Sequence, residues 1–288
     1  MNDSSHTTAR PAGTVPVGPS REAGTVPRES GPRAAGPVVL VRSANGRPHR
    51  KPVVCVAHAG YEPVKRAAEL LVTLVLLVVT APVVLIAAVL VKLTSPGPAF
   101  YRQTRVGRHS RPFLIVKLRT MVNNCESYSG PCWSMPGDPR ITPLGNVLRR
   151  LHVDELPQLL NVLAGQMSLV GPRPERPEFV PVLEQALPGY RDRLLVRPGV
   201  TGLAQVQLPA DTDLVSVRRK LAYDLYYIER HNPWLDVRIL IATVFKVLHL
   251  PFGLSRRLLA LPRSDEIERA RDPLPKPPPA PFRNGNGK

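Results

Sequence analysis

The stretch Leu148-Arg149-Arg150-Leu151-His152-Val153-Asp154-Glu155-Leu156-Pro157-Gln158-Leu159 sets two adjacent carboxylates between a basic pair and a proline-started apolar run. Successive side chains on a helix diverge by about 100°, so Asp154 and Glu155 cannot do the same job in one geometry. Carboxylates offer two jobs at a phosphorylated substrate. One can attack a phosphoryl centre and form an aspartyl-phosphate type of intermediate. The other can hold Mg²⁺, which takes few protein carboxylates beside phosphate oxygens. With Asp154 as N-cap of a helix beginning at Glu155, its carboxylate meets unpaired amides and the positive end of the helix dipole. There it stays ionised at neutral pH, and a phosphate attached to it is stabilised as well. A plain helix start, with Asp154 a cap and Glu155 a first-turn acid, accounts for the same pair.

The neighbourhood favours the phosphate reading. Arg149 lies five residues before Asp154, the loop Ser168 to Glu175 presents Arg173, and Arg197 sits in a second Pro-Gly loop. Arginine matches phosphate geometry with two donors. Each of these alone could be a solvated surface charge, and Asp138-Pro139-Arg140 shares that ambiguity. Several near one acidic pair make a phosphate site.

The elements that must position these residues begin with an uncharged run from Leu70 to Val91, broken only by Thr73, Thr80 and Pro82. As a helix it is about 33 Å long, enough for a bilayer core of roughly 30 Å. Both flanks are basic. Arg47, Arg50, Lys51, Lys65 and Arg66 precede it, and Lys92, Arg102, Arg105, Arg108, Arg111, Lys117 and Arg119 follow. Basic flanks prefer the cytoplasmic side. A straight span would send one across; a re-entrant hairpin bent at Pro82 keeps both inside.

Charge points the same way. The chain has 39 Lys+Arg against 22 Asp+Glu, a net +17 that favours anionic lipid, nucleotide phosphate or nucleic acid. Aromatic residues at 5% are too few for single-strand stacking platforms, so nucleic acid is not expected as a partner. Three cysteines (Cys55, Cys125 and Cys132) without a CxxC fit neither a disulfide framework nor a zinc site.

Residues 1–60 and 263–288 read as disordered tails rich in proline, although Pro37 to Val41 is apolar enough for a strand. No apolar h-region follows the first residues, so no signal peptide is expected. Between the tails, residues 61–94 form the membrane helix and 95–262 a catalytic domain. Two short strands are expected at 99–103 and 113–118, with helices over 145–152, from Asp154 to Ala164 with Gly165 as stop, over 175–187, over 212–231 and over 234–250. The last is amphipathic, with Asp236, Arg238, Thr243, Lys246 and His249 on one arc; it suits a membrane interface or a core equally.

Seven motifs, in order, resemble the monotopic phosphoglycosyl transferases, bacterial sugar transferases that start exopolysaccharide or related glycan assembly. They are Thr94-Ser95-Pro96-Gly97-Pro98-Ala99-Phe100-Tyr101-Arg102-Gln103, Arg105-Val106-Gly107, Lys117-Leu118-Arg119-Thr120-Met121, Asp154-Glu155-Leu156-Pro157-Gln158-Leu159, Met167 through Glu175, Arg197-Pro198-Gly199-Val200-Thr201-Gly202 and Ala204-Gln205-Val206. The resemblance spans about 61–250. It implies an α+β, mainly helical, membrane-associated fold: one N-terminal re-entrant helix, then a small cytoplasmic domain with a β-hairpin and amphipathic interfacial helices. It implies Asp154 as nucleophile and Glu155 as its partner at a Mg²⁺ site. Lys117, Arg119, Arg149, Arg173, Arg197 and Gln205 are the implied substrate and phosphate contacts.

The implied reaction passes a phospho-sugar from a UDP-sugar through Asp154 to a polyprenyl phosphate, with loss of UMP, on the cytoplasmic face of the inner membrane. Other glycosyltransferases or export machinery of the same pathway would be its partners. The chain departs from the resemblance twice. Ala81-Pro82 stands where the family has Ser-Pro, and Gln207-Leu208-Pro209 where some members have Asn-Gly-Arg. A large multi-span N-terminal region, found in longer relatives, is not expected here. A membrane-tethered binding protein or an inactive scaffold are the competing readings, and the intact acidic pair speaks against the scaffold.

Overall fold

The uncharged run lies inside one helix, α1 (Tyr61–Thr94). The structure, a computed structural model, describes residues 61–130, 135 and 137–271. The expectations for residues 1–60, for Cys55 and Cys132 and for 272–288 fall outside those residues. Pro82 does not interrupt α1. It lacks an N–H, so the Val78 carbonyl loses its intrahelical donor. One lost bond is less than helix termination requires when Leu, Val and Ala continue on both sides.

Both ends of α1 pack on the same body. Tyr61 and Lys65 donate to Asp236 at 2.6 and 2.7 Å, and Lys65 also reaches Tyr227 at 2.8 Å. Glu69 accepts from the Ser168 hydroxyl and from the Leu169 amide. At the other end Ala87, Ala88 and Val91 are buried against Leu118 and Leu148. Between them, large apolar side chains from Leu74 to Ile86 are mostly exposed.

Strands β1 (Phe100–Val106) and β2 (Pro112–Leu118) form an antiparallel hairpin in the register Phe100↔Leu118 to Val106↔Pro112. Helices α2 (Glu126–Ser129) and α3 (Pro143–Arg150) follow. Thr142 caps α3 by accepting from the Gly145 amide at 2.9 Å, with Pro143 in the first turn where a missing N–H is tolerated. A 3₁₀ turn over Val153–Gln158 runs into α4 (Leu159–Leu163), and Gly165 at φ 77° ends it as expected.

Strand β3 (Ser168–Val170) pairs in parallel with β4 (Gly199–Thr201), joined through α5 (Val180–Ala186) and a 3₁₀ turn over Tyr190–Leu195. The glycines flanking this pair are steric necessities. A Cβ on Gly199 would come within 2.1 Å of the Gly171 amide nitrogen, and one on Gly171 within 2.5 Å of the Arg197 carbonyl.

The remaining helices are α6 (Leu203–Gln207), α7 (Leu214–Arg230), α8 (Pro233–Val247), α9 (Phe252–Leu258) and α10 (Ser264–Arg271). Asp213 and Ser216 form a reciprocal capping box on α7. Asn232 caps α8 ahead of Pro233. The fold is thus mainly helical with two two-stranded sheets. Its core joins Phe113 and Ile115 of β2 and Val162 of α4 to Leu221, Leu225 and Ile228 of α7 and Ile239 of α8. Several expected boundaries move: the helix expected over 175–187 is only Val180–Ala186, the one expected from Asp154 to Ala164 begins as a 3₁₀ turn, and α10 occupies the start of the region read as a tail. Ile267, 0% exposed, inserts into the core and contributes about 1.5–3 kcal/mol, which holds the helix in place.

Candidate active site

The acidic pair is presented by a chain reversal. α3 ends at Arg150, and His152 takes the left-handed conformation at φ 57°, which turns the chain into the 3₁₀ segment. Asp154 therefore lies within that turn and is not its N-cap, contrary to the sequence expectation; no side chain caps the turn. Asn161 of α4 locks the turn against the hairpin. It accepts from the Val116 amide at 3.2 Å and donates to the Leu114 carbonyl at 2.7 Å. That bond pair fixes Lys117 opposite the acids.

The two carboxylates have unlike surroundings. Glu155 accepts from Lys117 at 2.8 Å and from both terminal nitrogens of Arg173, at 2.5 and 3.2 Å. Burial alone would raise its pKa, but Arg173 and Lys117 outweigh it and hold Glu155 well below the usual carboxylate range. Asp154 is 8% exposed, and among the described residues none donates a hydrogen bond to its carboxylate. Burial, and then the neighbouring Glu155 charge, push Asp154 up to about 6 against the pull of Lys117, Arg149 and Arg173. Below that value it protonates; at neutral pH it remains mainly ionised. The ionisation expected from a helix cap thus holds, but with a weaker margin and for a different reason.

Arg173 is itself positioned from behind. Arg193 donates to the Arg173 carbonyl at 2.8 Å and to Asp224 at 2.7 Å, and both side chains of that ion pair are 3% exposed. Tyr190 accepts a further bond from Arg193 at 2.6 Å. Sequence reasoning missed Arg193 and Asp224. The signal for Asp224 would have been a lone acid among Leu221, Ala222, Tyr223, Leu225 and Tyr226; Arg193, next to Arg191 and Asp192, had none.

A cleft of about 1510 Å³ opens over the pair. Of the expected contacts, Lys117, Arg149, Arg173 and Gln205 line it. Arg149 donates through Nε to Thr120 at 2.8 Å, and Gln205 donates to the Val200 carbonyl at 2.9 Å. Arg119 also borders the cleft, yet its guanidinium is spent on Pro96 and Ser95 at 2.6–2.8 Å, where it clamps the exit of α1. Arg197 is not in the lining; it pairs with Glu62 at 3.7 Å. Arg140, which does line the cleft, is paired with Asp138. Lys246, unnoticed as a site residue, lines the cleft and donates to the Gln205 carbonyl at 2.5 Å.

The lining is both charged and apolar. Val72 and Leu76 of α1, Leu240, Ile241 and Val244 of α8, and Leu248 just beyond α8 are among its apolar lining. Among the described residues no group of three or more His, Cys, Asp or Glu converges as a metal cage. Mg²⁺ needs only one or two protein carboxylates beside water and phosphate oxygens; an ion on Glu155 would share its oxygens with Lys117 and Arg173, while the Asp154 carboxylate accepts from no described residue.

A family model for bacterial sugar transferases matches residues 60–250. The chain is 43% identical over 188 residues to a UDP-N-acetylgalactosamine-undecaprenyl-phosphate N-acetylgalactosaminephosphotransferase of Aeromonas hydrophila, covering 65% of this chain and 44% of that relative. It is 44% identical over 188 residues to a UDP-glucose:undecaprenyl-phosphate glucose-1-phosphate transferase of Caulobacter vibrioides, covering 64% and 69%. An exopolysaccharide production protein of Rhizobium leguminosarum bv. phaseoli is 42% identical over 189 residues, covering 64% and 94%. The chain thus spans less than half of the first relative and most of the third.

Proposed function

The chain belongs to the bacterial sugar transferase family, and from that footing we propose that it moves a sugar phosphate from a UDP-sugar to a polyprenyl phosphate at a membrane surface. Undecaprenyl phosphate, the acceptor in the relatives' names, is the acceptor proposed here, and the product would start an exopolysaccharide or related glycan.

The observation that carries this reading is the division of labour within the acidic pair. Two neighbouring carboxylates with pKa values pushed apart are a pattern of assigned chemical roles. Glu155, clamped by Lys117 and Arg173, is a fixed anion; Asp154, buried and raised, is the one available to react. In the proposed first step an Asp154 carboxylate oxygen bonds to the β-phosphorus of the UDP-sugar. The bond to the bridging oxygen breaks, and UMP leaves with that electron pair. In the second step a phosphate oxygen of the lipid bonds to the same phosphorus and Asp154 is released as carboxylate. Lys117, Arg149 and Arg173 surround the charge that develops. Glu155 is the residue that would hold Mg²⁺, which supplies charge neutralisation for the diphosphate.

The cleft supports a lipid acceptor, since basic side chains and apolar side chains in one lining match a phosphate on a hydrocarbon chain. The packing of α1 supports a monotopic seat. A domain that packs on Lys65 and on Val91 of the same helix favours keeping both ends of α1 on one side of the membrane. We take α1 to enter and leave the same leaflet, bent at Pro82, with the basic flanks and the catalytic domain on the cytoplasmic face of the inner membrane.

The test is UMP release by full-length protein in detergent with Mg²⁺, undecaprenyl phosphate and a panel of UDP-sugars. Release with at least one sugar, lost in Asp154→Asn, is expected. No UMP with any sugar would remove the reading.

A further inference from the structure

The family match ends at residue 250, and α9 and α10 lie beyond it. They enclose, with α8, a second concavity of about 890 Å³ that the proposed transfer does not use. Four arginines border it, Arg238, Arg256, Arg257 and Arg263, against two acids, Asp265 and Glu266. The acids are already engaged. Glu266 accepts from Tyr226 at 2.6 Å and pairs with Arg230 at 3.3 Å, and Asp265 pairs with Arg269 at 3.5 Å. Arg238 is held by the Leu259 and Ala260 carbonyls, while its buried Nε finds no partner among the described residues. The side chains of Arg256, Arg257 and Arg263 form no ion pair or hydrogen bond with the described residues. The corner therefore carries uncompensated positive charge.

Beside it runs an exposed apolar face, whose Ile241, Val244 and Leu248 also border the cleft over the acidic pair. α8 turns its polar arc inward: Asp236 to Lys65, Thr243 to Thr201 at 2.7 Å and Lys246 to Gln205. Its outer side is Trp234, Val237, Ile241, Val244 and Leu248, spaced 3-4-3-4, all exposed, with Trp234 at 66%. The exposed apolar run continues through Leu250, Phe252, Leu254 and Leu258, the last at 65%. The two features are joined, because the Arg238 guanidinium lies 5.9 Å over the Trp234 ring. An apolar stripe edged by tryptophan and uncompensated arginine has the chemistry of a bilayer interface.

We propose that the α8–α9–α10 corner binds the headgroup phosphate of an anionic phospholipid, with the apolar stripe lying in the boundary between headgroups and acyl chains. The occupant is a bilayer lipid because the charge and the apolar face are contiguous. A free phosphate would need only the first, and an apolar protein partner only the second. The proposal rests on the membrane seat of α1. It adds a second contact, sensitive to lipid charge, that would set the tilt of the domain over the membrane.

The experiment uses the full chain in nanodiscs of phosphatidylcholine, with and without about 30% phosphatidylglycerol, and follows amide hydrogen exchange over residues 252–263. Exchange is expected to slow about tenfold or more in the anionic discs. The combined Arg256→Gln, Arg257→Gln, Arg263→Gln variant should lose that difference while exchange in α7 stays unchanged, which shows that the fold is kept. Equal exchange in both discs would overturn the proposal, and so would an equal effect of inorganic phosphate in neutral discs. Equal protection of wild type and variant would overturn it as well, and would assign the face to a purely apolar contact. Failure of the α1 seat reads differently, as loss of protein from discs of either composition.

Discussion

The Arg173 guanidinium closes on the Glu155 carboxylate through both terminal nitrogens, at 2.5 and 3.2 Å, and leaves the adjacent Asp154 carboxylate outside the clamp. The sequence neighbours thus become chemically distinct through a residue eighteen positions later. Arg173→Lys keeps the charge but loses the fork. Steady-state kinetics should show kcat falling by roughly 10²-fold, with a smaller change in KM for the UDP-sugar. Unchanged kcat would mean that the bidentate contact is incidental.

The raised pKa of Asp154 makes a prediction about rate. The nucleophile must be ionised, so single-turnover UMP release should fall about tenfold per pH unit below about 6 and be level above it. A profile flat down to pH 5 would contradict the burial argument.

The same shift makes a prediction about stability, with a definite sign. A carboxylate raised from 3.8 to about 6 by the fold binds its proton more tightly when folded. Its ionisation therefore costs the fold stability, absent below the unfolded value and complete above about 6. Asp154→Asn removes that cost, so it should abolish activity while raising stability at pH 7.5 by roughly 2–3 kcal/mol. The gain in Tm over wild type should shrink as the pH is lowered toward 4.

Behind the site, Arg193 and Asp224 form a buried pair that also holds the Arg173 carbonyl. Removing one partner leaves an uncompensated charge and costs about 3–5 kcal/mol. Asp224→Ala should lower Tm sharply, and the double variant Arg193→Met, Asp224→Leu should recover much of the loss without recovering full kcat. Thermal unfolding and initial rates on the same samples separate the two effects.

The seat of α1 can be read by labelling. In a background with Cys55, Cys125 and Cys132 replaced by serine, Val64→Cys and Leu93→Cys probe exposed positions at its two ends. Both should resist an impermeant maleimide added outside spheroplasts and react after permeabilisation. Labelling of only one from outside would establish a true span.

Much of this architecture was legible in local chemistry. The helices expected over 212–231 and 234–250 lie within a few residues of α7 and α8, which the structure shows capped by Asp213 with Ser216 and by Asn232. Alternation around a Gly- and Arg-rich turn gave the β1–β2 hairpin. Non-local pairing was not legible. The three-residue strands β3 and β4 lie some thirty residues apart and read as loops, because no period is visible over three residues. At the site, sequence placed Asp154, Glu155, Lys117, Arg149, Arg173 and Gln205 in one neighbourhood, but could not tell an arginine facing substrate from one bound within the protein. Arg119 clamps the chain leaving α1, and Arg197 turns to Glu62. Such roles depend on which carbonyl or carboxylate folding brings near. The cap role expected of Asp154 failed on one dihedral, the left-handed His152, which no local propensity announces.

The central claim is that Asp154 carries the phospho-sugar between donor and acceptor, and mass spectrometry of the intact protein tests it most directly. Wild type given a turned-over UDP-sugar without acceptor should gain the mass of one phospho-sugar, located on Asp154, and lose it when undecaprenyl phosphate is added. Asp154→Asn should gain nothing. Turnover by Asp154→Asn at the wild-type rate, or an adduct on any other residue, would contradict the account.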